Sequence, residues 1–224
     1  MLLTYVYIIT MRKKISYLIK FLIISPLLLA QNTDRQIWSS LEFNFKSINN
    51  TEISYNQSLR FTEDYTLLSH FFSNLQVSKK HNKWLSHSVG YRYKTQRDFG
   101  DQDYNNYHRL YVDVLLKEKF SKKFRSSYRS RLQTQKGVNY KKNKVRQKIK
   151  LMYDVKKIDL TLYTSFEGFY VLNSFYERTR FQFGFSKKIH SKMNVNIDYM
   201  IQKEYNKKNP DLFYILRTKV TYNI

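Results

Sequence analysis

Apolar and polar residues alternate with a period of two along most of this chain. In the segment Glu52–Thr62, apolar residues recur at Ile53, Tyr55, Leu59 and Phe61, and all positions of the other parity are polar or charged. Side chains of a β-strand point alternately to opposite faces, so this pattern predicts a strand with one apolar face. Eleven segments are candidate strands: Ile37–Ser47, Glu52–Thr62, Thr66–Ser78, Trp84–Gln96, Asn105–Phe120, Phe124–Gln135, Lys144–Asp154, Ile158–Phe169, Phe175–Ser186, Met193–Tyr205 and Leu212–Ile224.

The series of strands predicts an all-β fold, and more specifically a transmembrane antiparallel up-and-down β-barrel. Most segments are close to the 9–11 residues that a tilted strand needs to cross a bilayer. Their polar faces suit a wet lumen, and many of the 20 Tyr and 16 Phe lie near strand ends, where aromatic girdles form. Bacterial single-chain barrels have even strand numbers, so we expect ten or twelve strands rather than the eleven counted. A soluble periplasmic β-protein is an alternative, because a sandwich also alternates.

The first thirty residues have the layout of a secretory signal peptide. A basic cluster precedes an apolar run at 15–29, and Ala30 supplies a small residue at the cleavage point. We expect 1–30 to be removed, with Met11 as the true start, and 31–224 to form a single outer-membrane barrel domain. A membrane anchor is the alternative, although the apolar run is short and contains a lysine.

The chain is strongly basic, with 40 Lys and Arg against 17 Asp and Glu and a formal net charge of +23. Basic charge with many aromatic residues can indicate nucleic-acid binding. Here, however, lysines concentrate in short turns such as Lys79-Lys80 and Lys187-Lys188, and arginines lie on the polar faces of strands, so no contiguous basic groove is expected. We expect no nucleic-acid partner, but outer-membrane lipid including lipopolysaccharide, and the barrel-assembly machinery during biogenesis.

Connection lengths indicate an orientation. The tight lysine-bearing turns alternate with the longer connections Arg97–Tyr104, Lys136–Asn143 and Asn206–Asp211. Outer-membrane barrels have short periplasmic turns and longer extracellular loops. We therefore expect the lysine turns to be periplasmic and the three longer connections to be extracellular.

Several short motifs follow one another in a characteristic order along the strands. They are Gln36-Ile37-Trp38, Leu59-Arg60-Phe61, Gly90-Tyr91-Arg92-Tyr93, Tyr128-Arg129-Ser130-Arg131-Leu132-Gln133, Arg146-Gln147-Lys148, Phe166-Glu167-Gly168-Phe169-Tyr170 and Arg178-Thr179-Arg180. In this order the chain resembles the uncharacterised outer-membrane barrel family catalogued as domain of unknown function twenty-four ninety, found in Bacteroidota and other Gram-negative bacteria. The resemblance covers essentially the whole mature chain. It implies a barrel in the bacterial cell outer membrane and, because the family has no established activity, no catalytic residues.

The polar faces of the strands hold the candidate functional residues. The basic residues expected to line the lumen are Arg60, Arg92, Arg109, Arg125, Arg129, Arg131, Arg146, Lys148, Lys150, Arg178, Arg180, Arg217 and Lys219, and their expected acidic partners are Glu42, Asp113, Glu167 and Asp198. One hypothesis is a narrow pore that favours anions, because rings of Arg and Lys attract them. The other is a structural barrel, in which the arginines pair with carboxylates and tyrosines and plug the lumen.

An outer-leaflet lipid-modifying enzyme is a further alternative. Alternation places His108 and Glu177 on the outward face near the extracellular end. A hydrolase needs a nucleophile, a base and an orienting acid within hydrogen-bond reach, and no serine is clearly placed with this pair. The chain has no cysteine, and its histidines are scattered, so we expect no metal site and no cofactor. We therefore expect that the protein is not an enzyme.

Overall fold

Eleven β-strands close into a barrel in the computed structural model, which describes residues 33–97, 103–138, 140–206 and 211–224. The strands are β1 (Thr33–Ile48), β2 (Thr51–Thr62), β3 (Leu67–Lys80), β4 (Leu85–Arg97), β5 (Tyr104–Lys119), β6 (Phe124–Gly137), β7 (Tyr140–Val155), β8 (Leu160–Val171), β9 (Tyr176–His190), β10 (Met193–Glu204) and β11 (Leu212–Asn223). A 3-10 turn, Lys156–Ile158, joins β7 to β8. The described chain contains no helix long and apolar enough to cross a bilayer. The predicted signal peptide lies outside the described residues.

The barrel closes through a parallel pairing of its first and last strands. Consecutive strands are antiparallel, whereas β1 and β11 run in the same direction, from Thr33 opposite Leu212 to Asn44 opposite Asn223. An up-and-down series with an odd number of strands can close only in this way, because its first and last strands point the same way. The predicted all-β barrel is thus confirmed, and the expectation of ten or twelve strands is wrong: all eleven segments are strands.

The strand connections define two ends of the barrel. We call the end where β1 joins β2, β3 joins β4, β5 joins β6, β7 joins β8 and β9 joins β10 the turn end, and the opposite end of the strands the loop end. Asn49 and Asn50 both have positive φ, as a two-residue type I′ hairpin turn requires. The β6–β7 connection is shorter than expected, because the ladder continues to Gly137 opposite Tyr140. The predicted long loop Lys136–Asn143 is therefore wrong.

Alternate residues of each strand face outward and inward. On β5, Leu110 is 62% exposed, whereas the next residue, Tyr111, is 2% exposed. Val112 and Asp113 repeat the contrast with 48% and 4%. An apolar outer surface over a polar interior is the arrangement of a membrane barrel, in which lipid covers the outward side chains.

A small apolar cluster also lies inside the barrel. Trp38, Met200 and Ile215 come from β1, β10 and β11, and Phe213 packs against them. Met200 and Ile215 are fully buried. This cluster spans the parallel β1–β11 junction from the inside, so the wall at the junction is backed by packed side chains.

Gly184 provides a test of the β9–β10 ladder. A Cβ atom at this position would lie 2.4 Å from the Ile197 carbonyl oxygen and 2.3 Å from the Asp198 Cβ. Because these atoms belong to the paired strand, we expect Gly184→Ala to lower the free energy of unfolding by about 1–3 kcal/mol. The measurement is the temperature at which the folded band converts to the unfolded band in a semi-native gel.

Gly168→Ala is the matched control. Its added Cβ would first meet the Tyr176 hydroxyl at 3.2 Å, the end of a side chain that can move. Equal losses of stability in the two variants would contradict the proposed clash with the ladder.

Candidate functional site in the barrel lumen

One buried carboxylate holds three arginines in the lumen. Glu167 on β8 is 2% exposed. Its Oε1 accepts hydrogen bonds from Arg129 Nη2 and Arg146 Nη2, both at 2.8 Å, and Arg180 Nη1 lies 3.9 Å from its Oε2. These arginines come from β6, β7 and β9, so Glu167 ties together four neighbouring strands from the inside.

Two bidentate pairs extend this network. Arg131 donates from Nε and Nη2 to the two oxygens of Asp113, each at 2.6 Å. Arg217 contacts Asp198 in the same way at 2.8 and 2.9 Å, and the Tyr163 hydroxyl donates to Asp198 Oδ2 at 2.7 Å. Such fork-to-carboxylate contacts fix orientation as well as charge. Both acids are therefore fully engaged by protein donors.

Nearer the turn end, two more pairs involve predicted lumen residues. Arg125 donates to Asp154 at 2.9 and 2.6 Å, and Lys219 Nζ lies 2.7 Å from Glu42 Oε1. These side chains are more exposed than those around Glu167. Water competes for such pairs, so we expect them to contribute less to stability.

Glu177 faces the interior near the loop end, which corrects the outward placement expected from alternation. It is 8% exposed and accepts hydrogen bonds from Lys142 and Lys144 at 2.7–2.8 Å and from Arg178 at 3.2 Å. The β8–β9 register shifts here, because Phe169 pairs with Arg178 but the next residue, Tyr170, pairs with Tyr176. The bulge inserts Glu177 as an extra residue and reverses the parity beyond it.

A stack of alternating aromatic rings and guanidinium groups crosses the loop-side half of the lumen. In order its members are Phe72, Arg60, Trp38, Arg180, Phe169 and Arg146, and we call it the cross-lumen stack. From Phe72 to Arg146, the five successive distances between a ring centroid and the neighbouring guanidinium carbon are 4.3, 3.4, 5.1, 4.7 and 4.5 Å. Contacts within about 6 Å are cation–π interactions. The stack runs from β3 through β2, β1, β9 and β8 to β7, so it joins separate parts of the wall.

Cations outnumber carboxylates inside the barrel. Among the described residues, six interior cations have no carboxylate within ion-pairing distance: Arg60, Arg92, Lys94, Arg109, Lys148 and Lys150. They contact rings or neutral acceptors instead. Arg92 Nε donates to Asn74 at 3.2 Å, Arg109 Nε to Gln135 at 3.1 Å and Lys148 Nζ to Gln182 at 2.8 Å. The lumen therefore keeps a positive potential after all ion pairs are formed.

The aromatic members of this site were missed in the sequence. Trp38, Phe72 and Phe169 are at most 7% exposed and lie on the inward face. A signal was present, because each shares the parity of polar residues on its own strand, as Phe72 does with Asn74 and Phe169 with Glu167. A large ring on a polar face of a barrel strand indicates a filled lumen.

The structure separates the pair considered for catalysis. His108 faces outward and contacts the Tyr91 hydroxyl at 2.6 Å, whereas Glu177 lies inside. No three His, Cys, Asp or Glu side chains within the described ranges are arranged to hold a metal ion.

Comparison with protein families adds an independent finding. Residues 35–213 match the family described as "Protein of unknown function (DUF2490)". The chain belongs to this family. The match covers nearly all of the barrel, including every residue of the cross-lumen stack. A comparison of this chain with curated proteins found no match.

Solved barrels resemble this DUF2490 structure in fold. The NanC porin shares 11% identity with a TM-score of 0.49, over 75% of this chain and 86% of the porin. The KdgM porin shares 14% identity with a TM-score of 0.44, over 71% and 80%. The translocator domain of the autotransporter NalP from Neisseria meningitidis shares 12% identity with a TM-score of 0.38, over 74% and 71%. The closed barrel and its ion-paired interior rest on the strand topology and the contacts described above.

Glu167→Gln tests the central network. The amide keeps the shape but removes the charge that Arg129, Arg146 and Arg180 share, and breaking a buried pair costs about 3–5 kcal/mol. We expect a loss of stability of this order, measured by denaturant titration in detergent.

Asp154→Asn is the control for this experiment. Its partner Arg125 is 40% exposed, so we expect a loss of at most about 1 kcal/mol. A small effect of Glu167→Gln, equal to that of the control, would argue against a central role for Glu167.

Proposed function

We propose that this DUF2490 protein is a bacterial outer-membrane barrel whose lumen is closed in the resting state, so that it does not act as an open porin. The cross-lumen stack is the observation that carries the proposal. It places three aromatic rings and three guanidinium groups in one continuous series of contacts that links β3, β2 and β1 to β9, β8 and β7 inside the barrel. In this proposal a solute would pass only if these contacts separated.

Burial inside the barrel supports a closed lumen. Gln182 is 1% exposed, and Glu167 and Tyr111 are each 2% exposed. Side chains that line a water-filled channel stay hydrated and therefore accessible. Eleven strands also give a narrow barrel, which is closer to the eight-strand class filled by side chains than to a general porin with 16–18 strands.

The interior charge determines what the barrel would pass if it opened. Interior cations such as Arg92 and Arg109 have no carboxylate partner within the described residues. Positive rings favour anions and repel cations. If the lumen opens, its basic interior should therefore let anions carry most of the current.

The outer surface supports the proposed location. Leu110, Leu132 and Phe166 are each more than half exposed on the outward face, a surface that suits lipid, including lipopolysaccharide. In this proposal the turn end faces the periplasm, the barrel-assembly machinery inserts the chain, and the protein has no enzymatic role. Glu177, which would have to serve an outward active site, is held by interior lysines.

Cell fractionation tests the location. We expect the protein in the outer-membrane fraction, with an unboiled sample migrating differently from a boiled one, because a folded barrel resists detergent until heated. A soluble periplasmic product without this heat-dependent shift would overturn the assignment.

Phe169→Ala tests the closed lumen. Phe169 contacts Arg146 and Arg180 in the stack, and its removal interrupts the series near β8. We expect the wild-type protein to show little conductance in planar bilayers, and Phe169→Ala to raise conductance severalfold with anion selectivity. Phe166→Ala is the control, because this ring lies on the same strand but is 51% exposed on the outside. A large steady wild-type conductance, or cation selectivity in the variant, would contradict the proposal.

A further inference from the structure

A recess lies in the turn-side half of the lumen, away from the cross-lumen stack. Its volume is about 250 Å³. Inward-facing residues of β3 to β7 form most of its lining, among them Gln76, Ser88, Ser127, Arg129 and Lys150. This space admits several waters or a small organic molecule the size of a single sugar ring.

Three cations line this recess, and their charge is not balanced locally. Lys148 Nζ donates to the neutral Gln182 Oε1 at 2.8 Å, and Lys150 Nζ lies 3.8 Å from the centroid of the Tyr163 ring. The third cation, Arg129, shares the single carboxylate of Glu167 with two other arginines. The acid of the recess, Asp113, offers no compensation, because Arg131 occupies both of its oxygens.

One buried donor of a residue that lines the recess has no acceptor. Arg129 Nε is buried and has no hydrogen-bond partner in the structure. A buried donor of a charged group that lacks a partner carries a free-energy cost, and such a group calls for an explanation. This unpaired donor shows that acceptors are scarce around Arg129, so the charge of its guanidinium group is incompletely compensated.

Hydroxyl groups face the same space. Ser78, Ser86, Ser88 and Ser127 line the recess, and within the described residues the last three have no hydrogen-bond partner. A serine hydroxyl can both donate and accept, which suits recognition of ligand hydroxyls as well as of oxyanions. The recess therefore combines an anion-binding wall with a wall of free hydroxyls.

We propose that this recess binds a small hydroxylated organic anion. In this arrangement Arg129, Lys148 and Lys150 hold its carboxylate or phosphate group, and the serines hold its hydroxyls. The proposal goes beyond the closed barrel, because a recess on one side of the stack can bind a ligand without any conduction. Ligand binding would also explain why the interior contains more cations than the stability of the barrel requires.

Isothermal titration of the full chain in neutral detergent at low salt tests the proposal. The probes are glucuronate and glucose 6-phosphate, with glucose as the neutral analogue and inorganic phosphate and acetate as anions without a ring. We expect at least one of the two charged sugars to bind, and glucose to bind roughly tenfold more weakly or not at all, because contacts to a charged group are the stronger ones. Which charged sugar binds identifies the anionic group.

Variants assign the binding to this recess. The double variant Lys148→Gln/Lys150→Gln should lower the affinity for the charged sugar by roughly tenfold or more. The double variant Ser88→Ala/Ser127→Ala should weaken binding of the charged sugar but leave the affinity for the matching anion without a ring, phosphate or acetate, unchanged. Lys94→Gln is the control, because Lys94 is also an interior lysine without a carboxylate partner in the described chain, yet it lies outside the recess and donates to Gln96. It should leave binding unchanged.

Several results would overturn the proposal. They are no binding of either charged sugar, equal binding of glucose, and a loss in Lys94→Gln as large as that in the double lysine variant. Heat-dependent gel mobility establishes that each variant is folded. If the lysine variant does not fold, the serine variant, which keeps every charge, decides the question: unchanged affinity for the charged sugars would refute a role for the recess.

Discussion

Arginine side chains buried inside this barrel must be stabilised with little access to water, and few carboxylates are available for them. Removing a charge from water costs several kcal/mol unless it is compensated by partners. Two arrangements supply that compensation here. Glu167 is shared by three arginines, and the rings of Trp38, Phe72 and Phe169 lie between guanidinium groups. Each cation–π contact is worth about 0.5–2 kcal/mol, so the stack is a cooperative set of modest interactions rather than one strong bond.

The closure of the wall and the filling of the lumen depend on each other. An odd number of strands forces β1 and β11 into a parallel ladder, and the packed side chains of Trp38, Met200 and Ile215 line that junction from the inside. Trp38 is also a member of the cross-lumen stack. The residue that supports the junction therefore also belongs to the stack that closes the lumen in the proposed resting state, and opening the lumen would leave the junction less well supported.

The two halves of the lumen differ in kind. Toward the loop end, guanidinium groups, rings and the Glu177 network with Lys142 and Lys144 fill the space. Toward the turn end, short serine side chains replace rings, and a recess remains. Lysines that face this recess are held by neutral groups, so their charge is available to a ligand. In the proposed closed state, the barrel therefore has a recess on its turn side and no continuous channel.

The sequence by itself determined the fold, because strand alternation is a local property: the parity of residues such as Leu110 and Asp113 already states which face meets lipid and which meets the lumen. It also predicted inward arginines with Glu42, Asp113, Glu167 and Asp198 as acidic partners, but not Asp154 or Glu177. Three features came only from the tertiary structure. The parallel β1–β11 ladder joins residues far apart in the chain, the bulge beside Phe169 reversed the parity of Glu177, and the cross-lumen stack depends on which strands face each other across the barrel. Contacts across a lumen are set by strand number and register, which no local pattern encodes.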